Sequence, residues 1–203
     1  MPSAACTVTS RWTTCRPGPD YADAAQAVLV SEGAAAVTMR RMADMVGVSP
    51  MAAYKHYPNR QALLDEVAER AFRTLSEGWG NRVPDGPWEA RVLALLTDFL
   101  DFALGQPHLY TFLMTDQRER ARRFPDDFES GGSPFHKLVA LAEEGMRDGL
   151  MREDDPLEVT LALTSSVQGL VQLYLGGRIG LEEDAFRELC RRTVRRIFDG
   201  VRT

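Results

Sequence analysis

The sequence is poor in the residues from which many functions are built. Of its 203 residues only three are cysteine and three are histidine. Cys6, Cys15 and Cys190 show no CxxC or Cys/His spacing, and an odd count without a secretory leader argues against a disulfide framework. His56, His108 and His136 are too scattered to suggest a metal site. Nucleophile elbow, phosphate loop and dinucleotide fingerprint are all missing, so nothing marks an enzyme and no cofactor is expected. No apolar run is long enough to span a membrane. Residues 1–19 lack the apolar core of a signal peptide and read as a loose, disordered tail. Period-two alternation long enough for a sheet is absent, as are internal repeats. These absences point to an all-α chain in a reducing, cytoplasmic compartment, without metal.

What is present is helical pattern and uneven charge. The composition, 44% hydrophobic and 26% charged, supplies a sizeable core. The net charge is -5, yet residues 1–60 carry six Lys/Arg against four Asp/Glu, so the basic excess is confined to one end. From Tyr21 to Ser31 an Ala-rich helix is expected, ended by Glu32-Gly33. Thr38 then caps a short helix that Gly47 closes. Ser49 caps a second, with Pro50 at its first position, and Tyr57-Pro58-Asn59 ends it. Longer helices are expected over Arg60–Trp79 and Trp88–Leu104, then a short one in "PHLYTFLM". Phe135–Arg147, Leu157–Leu175 and Glu183–Val201 complete the set, while the charged, Gly/Pro-containing stretch 115–134 has no assignable pattern.

Two short helices joined by a glycine turn, with a third before them, form a helix-turn-helix. Pro50, Met51, Tyr54 and Lys55 share one face of its second helix. That face offers an apolar contact, an aromatic hydroxyl and a cation to a major groove. Ser49 and the free N–H groups at the helix start suit a phosphate.

The run "TMRRMADMVGVSPMAAYKHYPNRQALLDEV", Thr38 to Val67, with "AAQAVLVSEG" before it, resembles the DNA-binding domain of the tetracycline-repressor (TetR) family of bacterial transcription regulators. The resemblance implies a helix-turn-helix head at 20–66 and a helical ligand-binding and dimerisation body at 67–203. By the same resemblance Thr38 contacts the DNA backbone and Arg40 reaches a base. Pro50, Met51, Ala52 and Lys55 sit at base-reading positions, Tyr54 and His56 at phosphate positions, and Arg60 grips the backbone. Two departures stand out. Ala53 occupies a place where a larger aliphatic is usual, which implies looser packing, and Met51 replaces a common small residue.

In the body, the resemblance implies a homodimer through helices at about 157–176 and 183–200, reading a palindromic double-stranded operator. The first of these helices is too apolar for a monomer surface. The family also implies an internal small-molecule effector. Phe99, Phe102, Tyr110, Met114 and Met146 are candidate pocket residues beside Trp88, Phe112 and Phe135. Thr160, Thr164, Gln168 and Gln172, at steps of four along an apolar helix, add polar groups that need partners. Asp98 and Asp101 would either attract a cationic ligand or, as is more usual for a carboxylate, be paired or solvated at a surface. The expected function is a ligand-responsive repressor released from its operator by a small molecule, with the Arg60–Trp79 helix carrying the change. The competing reading is a helical small-molecule or protein-partner binding protein without sequence-specific DNA binding.

Overall fold

A computed structural model describes residues 21–79, 86–118, 121 and 134–201. The expected tail at 1–19 and most of the break at 81–87 lie outside the described residues. The described residues are helical with no strand. In chain order the helices are α1 (Tyr21–Glu32), α2 (Met39–Val46), α3 (Pro50–His56), α4 (Arg60–Gly78), α5 (Trp88–Gly105), α6 (Pro107–Met114), α7 (Pro134–Arg147), α8 (Pro156–Leu175) and α9 (Glu183–Val201).

The first three helices are held close by small side chains. Ala22, Ala25 and Leu29 of α1, Met42 and Ala43 of α2 and Ala53 of α3 belong to one core, all without solvent exposure. Ala53 is thus a wholly buried spacer that lets α3 approach its neighbours. Caps fix the boundaries. The Thr38 hydroxyl accepts from the Arg41 N–H at 3.2 Å, the Ser49 hydroxyl from Ala52 at 3.3 Å, and the Asn59 side chain from Ala62 at 2.8 Å. Each satisfies a donor that a helix start otherwise leaves without a partner, typically about 1 kcal/mol. Gly47 takes φ 79°, the left-handed conformation that ends α2 and turns the chain into α3. A short 3-10 turn, Ala34–Ala36, links α1 to α2 and was not foreseen in the pattern.

From α4 onward the packing changes scale. Helix α5 is central, burying Val92, Leu95, Leu100 and Phe102, and it packs against α6, α7 and α9. Rings replace alanines at the contacts. Trp79 sits edge-on to Phe99 and Phe102 at 6.0 and 6.5 Å, and Tyr174 stacks on Phe186 at 4.0 Å. Polar ties cross between helices: Arg187 pairs with Asp101 at 2.7 Å, Arg91 with Glu144, and the Lys137 ammonium donates to the Ser76 carbonyl at 3.0 Å.

Candidate nucleic-acid interface and effector cavity

The head presents the expected face. Pro50, Met51, Tyr54, Lys55 and His56 of α3 are exposed, with Met51 at 72% and Tyr54 at 49%. Exposing a methionine that far has a cost in water, so the side chain is available to meet a surface. Ala52 is half-buried beneath this face. Thr38 and Arg40, at the start of α2, are exposed too, as is Ser49 at the start of α3. Met45 and Val48, flanking the turn, are exposed apolar residues that the sequence reading did not single out.

Three side chains are placed more narrowly than expected. Arg41 pairs with Glu32 across the α1–α2 junction, with one contact at 2.9 Å. Hydrogen bonding from Arg41 holds the Glu32 carboxyl below its usual range. The His56 ring lies 5.6 Å from Tyr21, so it also packs against α1 while staying exposed. Arg60, expected to grip the DNA backbone, also has partners within the chain. Its Nε donates to the Val37 carbonyl at 2.7 Å, and a terminal nitrogen donates to the Ala34 carbonyl. Val37 is fully buried and its carbonyl needs a donor. Arg60 therefore ties α4 to the chain entering α2.

The body holds a cavity of about 240 Å³ between α4, α5, α6, α7, α8 and α9. Of the expected ligand contacts, Phe99, Met114, Thr164 and Gln168 lie in its wall. Phe102, Tyr110, Met146 and Gln172 do not. Tyr110 is completely buried between the rings of Phe99 and Phe102, at 5.9 and 6.2 Å. Gln172 donates to the Tyr110 hydroxyl at 3.5 Å, and burial raises that hydroxyl above its ordinary range. Met146 is half-buried and packs on the core away from the cavity. Of the other aromatic candidates Phe135 lines the space, whereas the Trp88 indole donates to the Leu141 carbonyl at 2.6 Å outside it.

Sequence reasoning missed Phe72 of α4 and Trp79 just beyond it, Leu113 of α6, and Asp116 and Arg118 just beyond α6, all of which line the cavity. The helical spacing of Phe72 and Trp79 was visible, but not the space they face. The acid pair on α5 also resolves. Asp101 is the partner of Arg187, and Asp98 is buried on α5 without lining the cavity. The Thr164 hydroxyl donates to the Thr160 carbonyl at 2.8 Å, a back-bond within its own helix.

Residues 92–197 match the family described as "Tetracyclin repressor-like, C-terminal domain", and residues 22–67 match "Bacterial regulatory proteins, tetR family". The chain belongs to the TetR family. It is similar to the uncharacterized HTH-type transcriptional regulator YobS of Bacillus subtilis, 23% identical over 168 residues that cover 82% of this chain and 83% of that protein. In fold it is similar to a protein of unknown function from Rhodococcus sp. RHA1, with TM-score 0.75, 24% identity and coverage of 90% and 94%. A transcriptional regulator from Saccharomonospora viridis, solved in complex with choline, shares the fold with TM-score 0.70, 16% identity and coverage of 86% and 93%. As a TetR protein the chain is a ligand-responsive, DNA-binding transcriptional regulator. TetR membership brings dimerisation with it. Among the described residues no helix is long and apolar enough to cross a membrane.

One expectation about the TetR dimer helices changes in detail. Helix α8 turns Leu163, Val167 and Val171 inward, so much of its apolar content belongs to the core. What it leaves outside is a strip of Ala162, Ser165, Ser166, Gly169 and Leu173. A Cβ at Gly169 would meet nothing within 4 Å, so the strip is smooth and open to close approach.

Proposed function

We propose that this regulator is a repressor that holds an inverted-repeat operator as a homodimer and is released by a small molecule in the α4–α9 cavity. Residues 20–66 are the reading head and residues 67–203 the sensing and dimerising body. The two recognition helices, one per protomer, enter successive major grooves with Met51, Tyr54 and Lys55 foremost. Arg40 reads from the start of α2, and Thr38, Ser49 and His56 meet the backbone. The smooth strip on α8, with α9 beside it, packs against its symmetry mate. A dimer interface of small residues allows close helix approach, and the basic flank of Arg192 and Arg196 lies exposed beside it.

One observation carries the release mechanism: the same two helices touch both sites. Helix α4 packs on α1 and places Phe72, and Trp79 at its C-cap, in the cavity wall. Helix α6 rests on α1 and on the 3-10 turn, where the His108 ring lies 3.4 Å from where a Cβ at Gly33 would stand. Its other end gives Leu113 and Met114 to the cavity. A ligand that prefers one disposition of α4 and α6 thereby prefers one disposition of the head. The choline complex of the Saccharomonospora regulator supports a small-molecule site in this fold.

The test is selection of random duplex DNA by the purified protein, repeated with Tyr54→Phe and Lys55→Ala. An enriched inverted repeat is expected, bound more weakly by Tyr54→Phe and with altered base preference for Lys55→Ala. No enrichment at low salt, where phosphate contacts are strongest, would reject the operator reading in favour of a binding protein that does not read DNA.

A further inference from the structure

Among the described residues the cavity wall holds one cation, Arg118, and its setting names a ligand class. Arg118 lies just past the end of α6, half-buried. Its guanidinium stands over two rings, 5.9 Å from the Phe72 centroid and 5.2 Å from Phe112. One terminal nitrogen donates to the Leu113 carbonyl at 3.0 Å, answering an open carbonyl near the end of α6. The Nε is buried with no hydrogen-bond partner. A guanidinium carries five donors in a rigid plane, and here the rings and the single carbonyl fix the plane without satisfying it. Burial without that satisfaction pushes the group below its ordinary range; the charges of Asp65, Glu69 and Asp116 act the other way. None of those carboxylates forms a hydrogen bond or ion pair with Arg118 among the described contacts.

The remainder of the wall is largely apolar. Phe72, Trp79, Leu95, Phe99 and Leu163 surround the space, with the Gln168 amide and the Asp116 carboxylate as further polar groups. The Thr164 hydroxyl already donates to its own helix. An apolar site with one under-satisfied, oriented cation is complementary to an apolar molecule that ends in an oxyanion.

We propose that the effector is an apolar monocarboxylate, an acyl chain or aromatic acid, whose carboxylate is held by Arg118 while its body fills the space between Phe72, Trp79 and Phe99. This deepens the small-molecule reading above and rests on it. The ligand adds a charge-assisted hydrogen bond to this half-buried guanidinium, whose Nε has no partner. Because Arg118 also binds the end of α6, the carboxylate acts on the helix that rests on the head.

The test is calorimetric titration of the full chain with three probes sharing one chain, decanoate, 1-decanol and decyltrimethylammonium, and with 2-naphthoate beside 2-naphthamide. At least one carboxylate should bind roughly ten- to a hundred-fold more tightly than its neutral or cationic counterpart, the range of one charged hydrogen bond. Arg118→Gln should erase that preference, with binding of 1-decanol and the thermal melting curve as controls for folding. Arg118→Lys, which keeps the charge but loses the fork, should restore only part of it. Equal or tighter binding of the cation, failure of both carboxylates to bind, or an unchanged preference in folded Arg118→Gln each overturns the proposal. The operator selection above is read on ligand-free protein. Its failure therefore strikes the repressor reading, while the carboxylate preference stands or falls separately.

Discussion

The head and the body are made from the same element, the α-helix, by opposite packing rules. From α1 to α3 the wholly buried residues are largely small, with Ala22, Ala25, Ala43 and Ala53 beside Leu29, Val37 and Met42. In the body, rings such as Trp79, Phe99, Tyr110 and Phe186 make the contacts, and they leave a cavity of about 240 Å³. Small side chains bring backbones together and turn the head's chemistry outward, to Met51, Tyr54 and Lys55. Large, flat side chains cannot fill every angle between crossing helices, and the space they leave turns the body's chemistry inward. One architecture thus yields an exposed surface of mixed chemistry at one end and an internal cavity at the other.

The comparison is broken most directly by truncating one leucine in each region. Leu29→Ala in the closed head core should lose about 2–5 kcal/mol of stability. Leu113→Ala should lose distinctly less, because part of Leu113 already faces empty space and has fewer contacts to forfeit. Equal losses in denaturant titrations would mean that head and body are packed alike.

Arg60 tests whether the head is held from below. Arg60→Ala leaves the Val37 and Ala34 carbonyls without their donor and should cost about 1.5–3 kcal/mol, the range for hydrogen bonds to a charged group. DNA affinity should fall along with stability. An affinity loss in a variant of unchanged stability would return Arg60 to the role of a phosphate contact.

The body has its own close approach. Gly145 lies against Trp88, where an added Cβ would stand 2.9 Å from the ring and 3.0 Å from the Met151 sulfur. Gly145→Ala should lose about 1–3 kcal/mol through overpacking, measured by thermal melting. No loss would show that α7 can slide on α5, making the body softer than its contacts suggest.

The smallest effect concerns Cys190, wholly buried on α9. Burial pushes its thiol up to about 11, so little thiolate exists near neutral pH and the fraction grows only as pH rises toward that value. In a Cys6→Ser, Cys15→Ser background, labelling by a thiol reagent at pH 8 should be much slower in the folded protein than in denaturant. Comparable rates would place α9 among the easily opened parts of the body.

The helices were legible in the sequence wherever a cap or a breaker marked them. Thr38, Gly47, Ser49 and Pro50 act locally, within one turn, and the structure uses each as its chemistry dictates. The three-alanine turn after Gly33 carries no such mark and was missed. The exposed face of α3 was readable because it follows from period and capping alone. The cavity was not, since its wall is gathered from six helices and spacing tells only which residues share a face, never what that face meets. Tyr110 and Phe99 look alike in sequence, yet Tyr110 is sealed between rings and Phe99 borders the space. Arg60 shows the same limit: the motif fixes its place at the start of α4, whereas its partners within the chain are carbonyls more than twenty residues earlier.

The two described tryptophans divide along the same line. Trp79 borders the cavity, while Trp88 is fixed by its bond to the Leu141 carbonyl and lies edge-on to Phe198 at 5.0 Å. The molecule therefore carries a built-in optical pair, one indole whose emission colour should respond to what enters the body and one that should stay constant as an internal reference. With Trp12 and Trp88 replaced by phenylalanine, the emission of Trp79 alone should make cavity occupancy visible in unlabelled protein.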